Sequence, residues 1–435
     1  MIDRKKYFKP TKYTLRSVAT GNEFADTGWM LTAPDEEHPT LIRAEYESKK
    51  LELFDKDLGF YKFASWLPVK RLLHGSSAPV TYKSEGLAKV LGLSNLYITF
   101  SGYWPQRNAK MTTCSFKETE AYAVCGRMDP DNGKVLVVAS AGNTARSFAR
   151  VCSDNNIPLL LCMPEDNIGS LWFDTPVYDC VKLIVTCSGS DYYDAIHLSD
   201  FASSNPHFIA EGGAKNVARR DGMGTTVLSA VTAIGEIPEY YFQAIGSGTG
   251  AIAAWEANLR LIGDGGYGDR KMKLMVSQNE PFVPIYDAWK AGSRQLFPMD
   301  DNIARQQAAK ISAKVLSNRK PPYSITGGLF DALADSGGDV LKASNQEAEY
   351  AADLFFKTEG IDIHPAAAVA TATLIKQVQD KTIPANALIM LNITGGGEEL
   401  FKKDKELFYL KPSIVFDLDF NKEVIHASIN ELFGF

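Results

Sequence analysis

VLVVASAGNTARSFARVCSDNN, residues 135–156, is the stretch on which the fold turns. It opens with an apolar run of strand length, VLVVAS (135–140), and closes with TARSFARVCSDNN (144–156), whose apolar positions recur at helical spacing. The turn between them, Ala141-Gly142-Asn143, puts Asn143 at a strand-to-helix junction. Open α/β sheets hold ligands at such junctions, because loop amides and a helix N-terminus converge at the carboxyl end of the strand.

Outward from this unit the rhythm repeats. PLLLCMP (158–164), VKLIVTC (181–187) and HFIAEG (207–212) are further apolar runs separated by helical patterns. The order is β-α-β-α, which requires a parallel sheet. YYFQAIGSG (240–248), KLMVSQ (273–278) and ALIMLNITGGG (387–397) resume it after a helical interval. The expected class is α/β with two parallel-sheet, three-layer domains.

Composition narrows the function. The chain has 435 residues, 45% hydrophobic and 23% charged, with no internal repeat or low-complexity tract, so it is long enough for two or three domains. Its 46 Lys and Arg against 52 Asp and Glu give a net charge of -6. That balance argues against a nucleic-acid partner or an anionic membrane surface. No apolar stretch reaches the roughly 20 residues of a bilayer span, and MIDRKKYFKPTKY (1–13) lacks the apolar core of an export signal. A cytoplasmic location is expected. The six cysteines (114, 125, 152, 162, 180 and 187) form no CxxC pair, so neither zinc nor a disulfide framework is expected.

Gly246-Ser247-Gly248-Thr249-Gly250 ends a strand and precedes the amphipathic AIAAWEANLRLI, so its amides and the helix dipole can hold a phosphate. Gly246, Gly248 and Ala251 also satisfy the dinucleotide pattern. That reading needs an acidic residue at the end of the next strand, yet Ser277-Gln278-Asn279 stands there. Thr112-Thr113-Cys114-Ser115-Phe116-Lys117 sets a lysine among small hydroxyl residues at the start of the helical pattern ETEAYAVCGRM. Alone, Lys117 reads as a solvated surface lysine.

Together, the Lys117 segment, SAGNT (140–144), the glycine loop 246–250 and Thr394-Gly395-Gly396-Gly397 resemble the site series of fold-type II pyridoxal-phosphate (PLP) enzymes, threonine synthase in particular. TGGLFDALADSGGDV (326–340) and TEGIDIHPAAAVATATL (358–374) extend the resemblance across about residues 60 to 400. It implies the tryptophan-synthase-β-like fold and PLP as cofactor. It also implies Lys117 as the catalytic imine lysine, Asn143 on the cofactor's 3-hydroxyl, Gly246, Ser247, Gly248 and Thr249 around its phosphate, and Thr394 facing the ring nitrogen. A neutral hydroxyl there makes the ring a moderate electron sink, suited to elimination and replacement. By the same resemblance, Ser140, Ala141, Gly142 and Thr144 receive the substrate carboxylate.

The chain departs from the threonine synthase pattern at Thr112-Thr113, Cys114 and Glu118-Thr119, and TLRSVATGNEFADTGWMLTAP (14–34) has no cysteine where many threonine synthases carry a zinc-ribbon-like segment. No metal is expected. With these departures the whole chain resembles the branch that makes L-cysteate from O-phospho-L-serine and sulfite, for coenzyme M synthesis in methanogenic archaea. That implies β-replacement through a Lys117 imine and an aminoacrylate. Arg107, Lys110, Thr112 and Thr113, just upstream of the lysine, are the candidate donors to the leaving phosphate. His364 replaces an acidic family position and is a candidate for easing sulfite approach.

Three alternatives stay open: a threonine synthase acting on O-phosphohomoserine, a non-catalytic PLP-binding protein, and a Rossmann oxidoreductase. The expected organisation is a larger PLP-binding domain of residues 1–109 and 233–435, with 1–50 an N-terminal extension. A smaller mobile domain, 110–232, is inserted, and the resemblance suggests a homo-oligomer.

Overall fold

The computed structural model describes residues 8–34 and 36–435, so the first seven residues of the stretch 1–13 read above lie outside the described residues. Two sheets carry the molecule. In the larger, the strands lie in the order Asp339–Ala343, Lys273–Asn279, Tyr240–Ala244, Leu388–Ile393, Asn95–Phe100 and Val80–Lys83. All neighbours are parallel except the last pair. LIMLNI (388–393) is buried at every position, as a central strand covered on both faces must be.

The smaller sheet is parallel throughout, in the order Phe208–Ala210, Val135–Ala139, Leu159–Pro164, Val181–Thr186 and Ile414–Phe416. The two-residue period of a strand sorts VLVVA between two cores. Leu136 and Val138 join a core that continues to the larger sheet through Tyr241 and Met390. Val135 and Val137 face a second core with Leu198, Ile425 and Ile429.

This arrangement corrects the expected division at the C-terminus. The sequence pattern puts residues 233–435 wholly in the larger part, whereas Ile414–Phe416 pairs in parallel with Val181–Thr186, and the helix Lys422–Phe433 packs on Tyr192–Ser203. The physical reason is apolar area: without Phe416, Ile425 and Ile429 one face of the smaller sheet would lie open.

Between the sheets lies the helix Lys117–Arg127, buried along nearly its whole length. It packs against Val217–Ile234 at a separation only glycine allows. A Cβ on Gly222 would sit 2.5 Å from the Thr119 carbonyl oxygen and 2.8 Å from the Ala123 Cβ. The N-terminal segment forms a three-stranded antiparallel sheet of Glu23–Phe24, Tyr13–Ser17 and Ile42–Tyr46. It is tied to the body by Arg127 to Asp26 at 2.8 Å and by the Trp29 indole N–H donating to the Ala210 carbonyl at 2.7 Å. No described helix is long and apolar enough to cross a membrane.

Candidate active site

Three loops converge at Lys117. The segment before the lysine is stitched to the glycine turn after Leu388–Ile393: the Phe116 amide donates to the Thr394 carbonyl at 2.9 Å, the Gly396 amide donates to the Cys114 carbonyl at 3.1 Å, and Ser115 bridges Gly395. Lys117, first residue of its helix, is thereby fixed beside Thr394. The turn is itself clamped from outside. Gly397 has φ +73°, and a Cβ there would lie 1.8 Å from the Tyr103 carbonyl oxygen, so no side chain fits.

The third loop, Ser140 to Thr144, carries Asn143 at the start of the helix Asn143–Asp154. The Ser140 hydroxyl accepts from the amides of Gly142 (3.1 Å) and Ala145 (3.0 Å), so it caps the turn from within. Arg146, buried three residues after Asn143, joins the loops. Its guanidinium donates to Asn143 Oδ1 at 2.8 Å, to the Thr113 carbonyl at 3.0 and 3.2 Å and to the Ser170 carbonyl at 2.8 Å, and it lies over the Trp172 ring at 3.9 Å. With Oδ1 turned toward Arg146, the Asn143 amide is oriented with its N–H groups free to donate to the site.

Gly246 to Thr249 follow the strand Tyr240–Ala244 of the larger sheet, and Val315 lies against both Gly246 and Gly142. The helix Thr249–Asp264 begins with Gly248 as its N-cap and takes no side-chain cap from that residue. The Thr249 amide donates to the Ser247 hydroxyl at 3.3 Å and the Ala251 amide to the Gly248 carbonyl at 3.0 Å, which leaves the Gly250 amide and the helix dipole to face an anion. The Ser247 and Thr249 hydroxyls lie 2.8 Å apart at the same turn.

Electrostatics set the state of the lysine. Burial lowers the proton affinity of the Lys117 amine, while Glu120, 3.0 Å away, raises it and Arg219 lowers it. Glu118 is buried too, and the loss of hydration lifts its carboxyl to about 7, against the opposing pull of the Thr113 amide (3.1 Å) and hydroxyl (2.9 Å).

The remaining sequence candidates are placed unevenly. Thr113 is buried, and its hydroxyl is already engaged between Glu118 and Ser147 (3.1 Å). Thr112 is half-buried, whereas Arg107 and Lys110 are exposed, and Arg107 stacks on Tyr82 and Trp104 at 3.9 and 4.9 Å. His364 Nε2 lies 2.9 Å from Glu398, and its backbone amide donates to the Gly395 carbonyl. Burial works against ionisation of Glu398, yet His364, Arg146 and Lys402 together hold it well below the usual carboxylate range. Cys114 is buried against Trp172 and Phe401, and that burial pushes its thiol well up, so it serves as an apolar spacer. All six cysteines are free.

Sequence reasoning missed Arg146, Glu118, Glu120, Glu211 and Arg219. For Arg146 and Glu120 a signal existed: each lies three residues after a singled-out residue, Asn143 and Lys117, and so on the same helical face.

The residues present suit PLP: a buried amine, an asparagine amide oriented as donor, a helix start with the Gly250 amide left to an anion, and a neutral hydroxyl-bearing residue in the turn hydrogen-bonded to the lysine segment. Comparison with known proteins agrees. The model of the pyridoxal-phosphate dependent enzyme family matches residues 85–395. A cysteate synthase of Methanosarcina mazei is 46% identical over 404 residues, 93% of this chain and 96% of that protein. One from Methanocella paludicola is 47% identical over 377 residues, 86% of this chain and 88% of that protein. Maize serine racemase superposes with a TM-score of 0.56 at 13% identity, over 75% of this chain and 91% of that chain, a likeness of fold.

Proposed function

The chain belongs to the pyridoxal-phosphate dependent enzyme family, and from that premise we propose that it joins sulfite to O-phospho-L-serine, giving L-cysteate and phosphate. The relatives named cysteate synthase, matched over nearly their whole length, support this substrate pair. The observation that carries the cofactor chemistry is the hydrogen-bonded seam between residues 114–116 and 394–396, which sets the Lys117 helix beside Thr394.

When bound, the cofactor supplies an electron sink for the substrate α-carbon. In this reading Lys117 holds it covalently, Gly246, Ser247, Gly248 and Thr249 hold its phosphate, the Asn143 amide donates to its 3-oxygen, and the Thr394 hydroxyl faces its ring nitrogen. Burial shifts the Lys117 amine toward its free form, the form that both a nucleophile and a general base need. Lys117 Nζ takes the α-proton and later returns it. In the loop Ser140 to Thr144 the Ser140 amide is held by the Cys162 carbonyl (3.0 Å) and the Gly142 amide by the Ser140 hydroxyl, so the amides of Ala141 and Thr144 are the ones that receive the substrate carboxylate. Of the donors upstream of the lysine, Thr112 is the best placed for the leaving phosphate, since the Thr113 hydroxyl is engaged elsewhere. Arg107 and Lys110 serve only if their loop closes inward. Closure of the smaller unit, residues 110–232 together with the C-terminal strand and helix that complete its sheet, shuts out water, and the enzyme works as a cytoplasmic homo-oligomer.

Phosphate release from O-phosphoserine, measured with and without sulfite, tests the proposal. Sulfite-dependent release with formation of cysteate is expected. Turnover of O-phosphohomoserine in its place would make the enzyme a threonine synthase.

A further inference from the structure

Beside Lys117 lies a second charged cluster that the proposed chemistry does not use. Glu120, one turn along the lysine helix and fully buried, has one carboxylate oxygen 3.0 Å from Lys117 Nζ. Its other oxygen is 2.8 Å from Arg219 Nη2, on the helix Val217–Ile234, at an angle that falls short of a hydrogen bond. Arg219 Nη1 in turn lies 2.5 Å from Glu211, just beyond the strand Phe208–Ala210, and Glu211 also accepts the Gly213 amide at 2.9 Å. Tyr192, first residue of the helix Tyr192–Ser203, feels all three charges. The Phe116 ring lies 5.0 Å from the Lys117 amine. These are the charged and titratable groups that face Lys117 from the elements packed around it.

The charge balance gives the cluster a preference. With both carboxylates ionised against the one guanidinium, the buried cluster is neutral only with a proton on Lys117; burial pushes Glu211 toward its neutral form, and Arg219 and the Gly213 amide oppose that push. An uncompensated buried carboxylate is costly, because no water replaces its lost hydration. The cluster is also poor as a purely structural tie: Arg219 Nε and the second oxygen of Glu211 are buried without a hydrogen-bond partner. Lysine is therefore pulled two ways, toward the free amine by burial and toward the ammonium by Glu120.

We propose that Glu120 is a positioning residue for Lys117: it receives the ammonium formed when the lysine takes the substrate's α-proton, and holds that proton at Nζ until it is returned to Cα. Arg219 and Glu211 fix Glu120 for this task. The proton leaves Cα for Nζ and goes back to the same carbon in the product, so the step is balanced with no further reactant. The inference rests on the reading of Lys117 as imine lysine and base.

The test follows cofactor capture rather than turnover. Full-length protein stripped of PLP is mixed with PLP across a pH series, and the rate of appearance of the lysine-bound yellow form is recorded. Glu120→Gln removes the carboxylate that favours the ammonium, so its profile shifts to lower pH, by about one unit, with the wild-type plateau at high pH. Glu120→Asp restores part of the shift. Arg219→Gln removes the opposing cation and shifts the profile the other way. General loosening of the site would move both variants in the same direction. Unshifted profiles, or shifts of the same sign, overturn the proposal. If Glu120→Gln does not fold, the sign of the Arg219→Gln shift decides alone. Lys117→Ala separates the two readings: a yellow Lys117→Ala protein removes the lysine assignment itself, whereas a colourless one beside an unshifted Glu120→Gln profile removes only the role of Glu120.

Discussion

Glu118→Gln is the perturbation whose size the structure states most directly. Glu118 is 2% exposed, and burial raises its carboxyl from an ordinary 4.5 to about 7. A group that binds its proton more tightly in the folded state stabilises the fold below its unfolded pKa, and that contribution is lost as pH rises through the folded value. Between pH 5 and pH 8 the wild-type chain should lose about 2–3 kcal/mol through this one residue. At about 2 cal/mol/K of unfolding entropy per residue, a chain of this length loses on the order of 3 °C of Tm for that change. Glutamine keeps an oxygen to accept from Thr113 and cannot ionise. The Tm of Glu118→Gln relative to wild type should therefore climb by about 3 °C from pH 5 to pH 8, whatever its constant offset. Differential scanning fluorimetry on the PLP-free protein reads this. A difference that stays flat or falls with pH would show that the two Thr113 donors hold Glu118 ionised, and would refute the reasoning.

Other expectations follow from single contacts. Arg146→Lys cannot reach Asn143, Thr113 and Ser170 at once. Freed, the asparagine amide can rotate, and PLP affinity by equilibrium titration should fall about tenfold. Gly222→Ala forces a methyl to within 2.5 Å of the Thr119 carbonyl oxygen. It should cost about 1–3 kcal/mol in denaturant unfolding and slow PLP capture by displacing the lysine helix.

Much of this architecture could be read directly from the chain, for a physical reason. Strand-turn-helix units such as 135–156 are specified locally, by a period that changes from 2 to 3.6 across a short turn, and both sheets are built from such units. The glycine loops are local signals too. What was not legible depends on long-range pairing. Ile414–Phe416 is three residues long, too short for any period, and becomes a strand only because Val181–Thr186 offers it an edge. Arg146 looks like any helix-surface arginine until Thr113, Ser170 and Trp172 are folded round it. Glu211 and Arg219 stand about a hundred residues after Lys117 and meet Glu120 only through the packing that Gly222 permits.

Borohydride reduction of the PLP-loaded protein, followed by mass mapping of the labelled peptide, tests the central claim most directly. The account predicts a single pyridoxyl-lysine in the peptide that contains Thr112 to Lys117, absent from Lys117→Ala. A label on any other lysine, or none on a protein that has bound PLP, would contradict it.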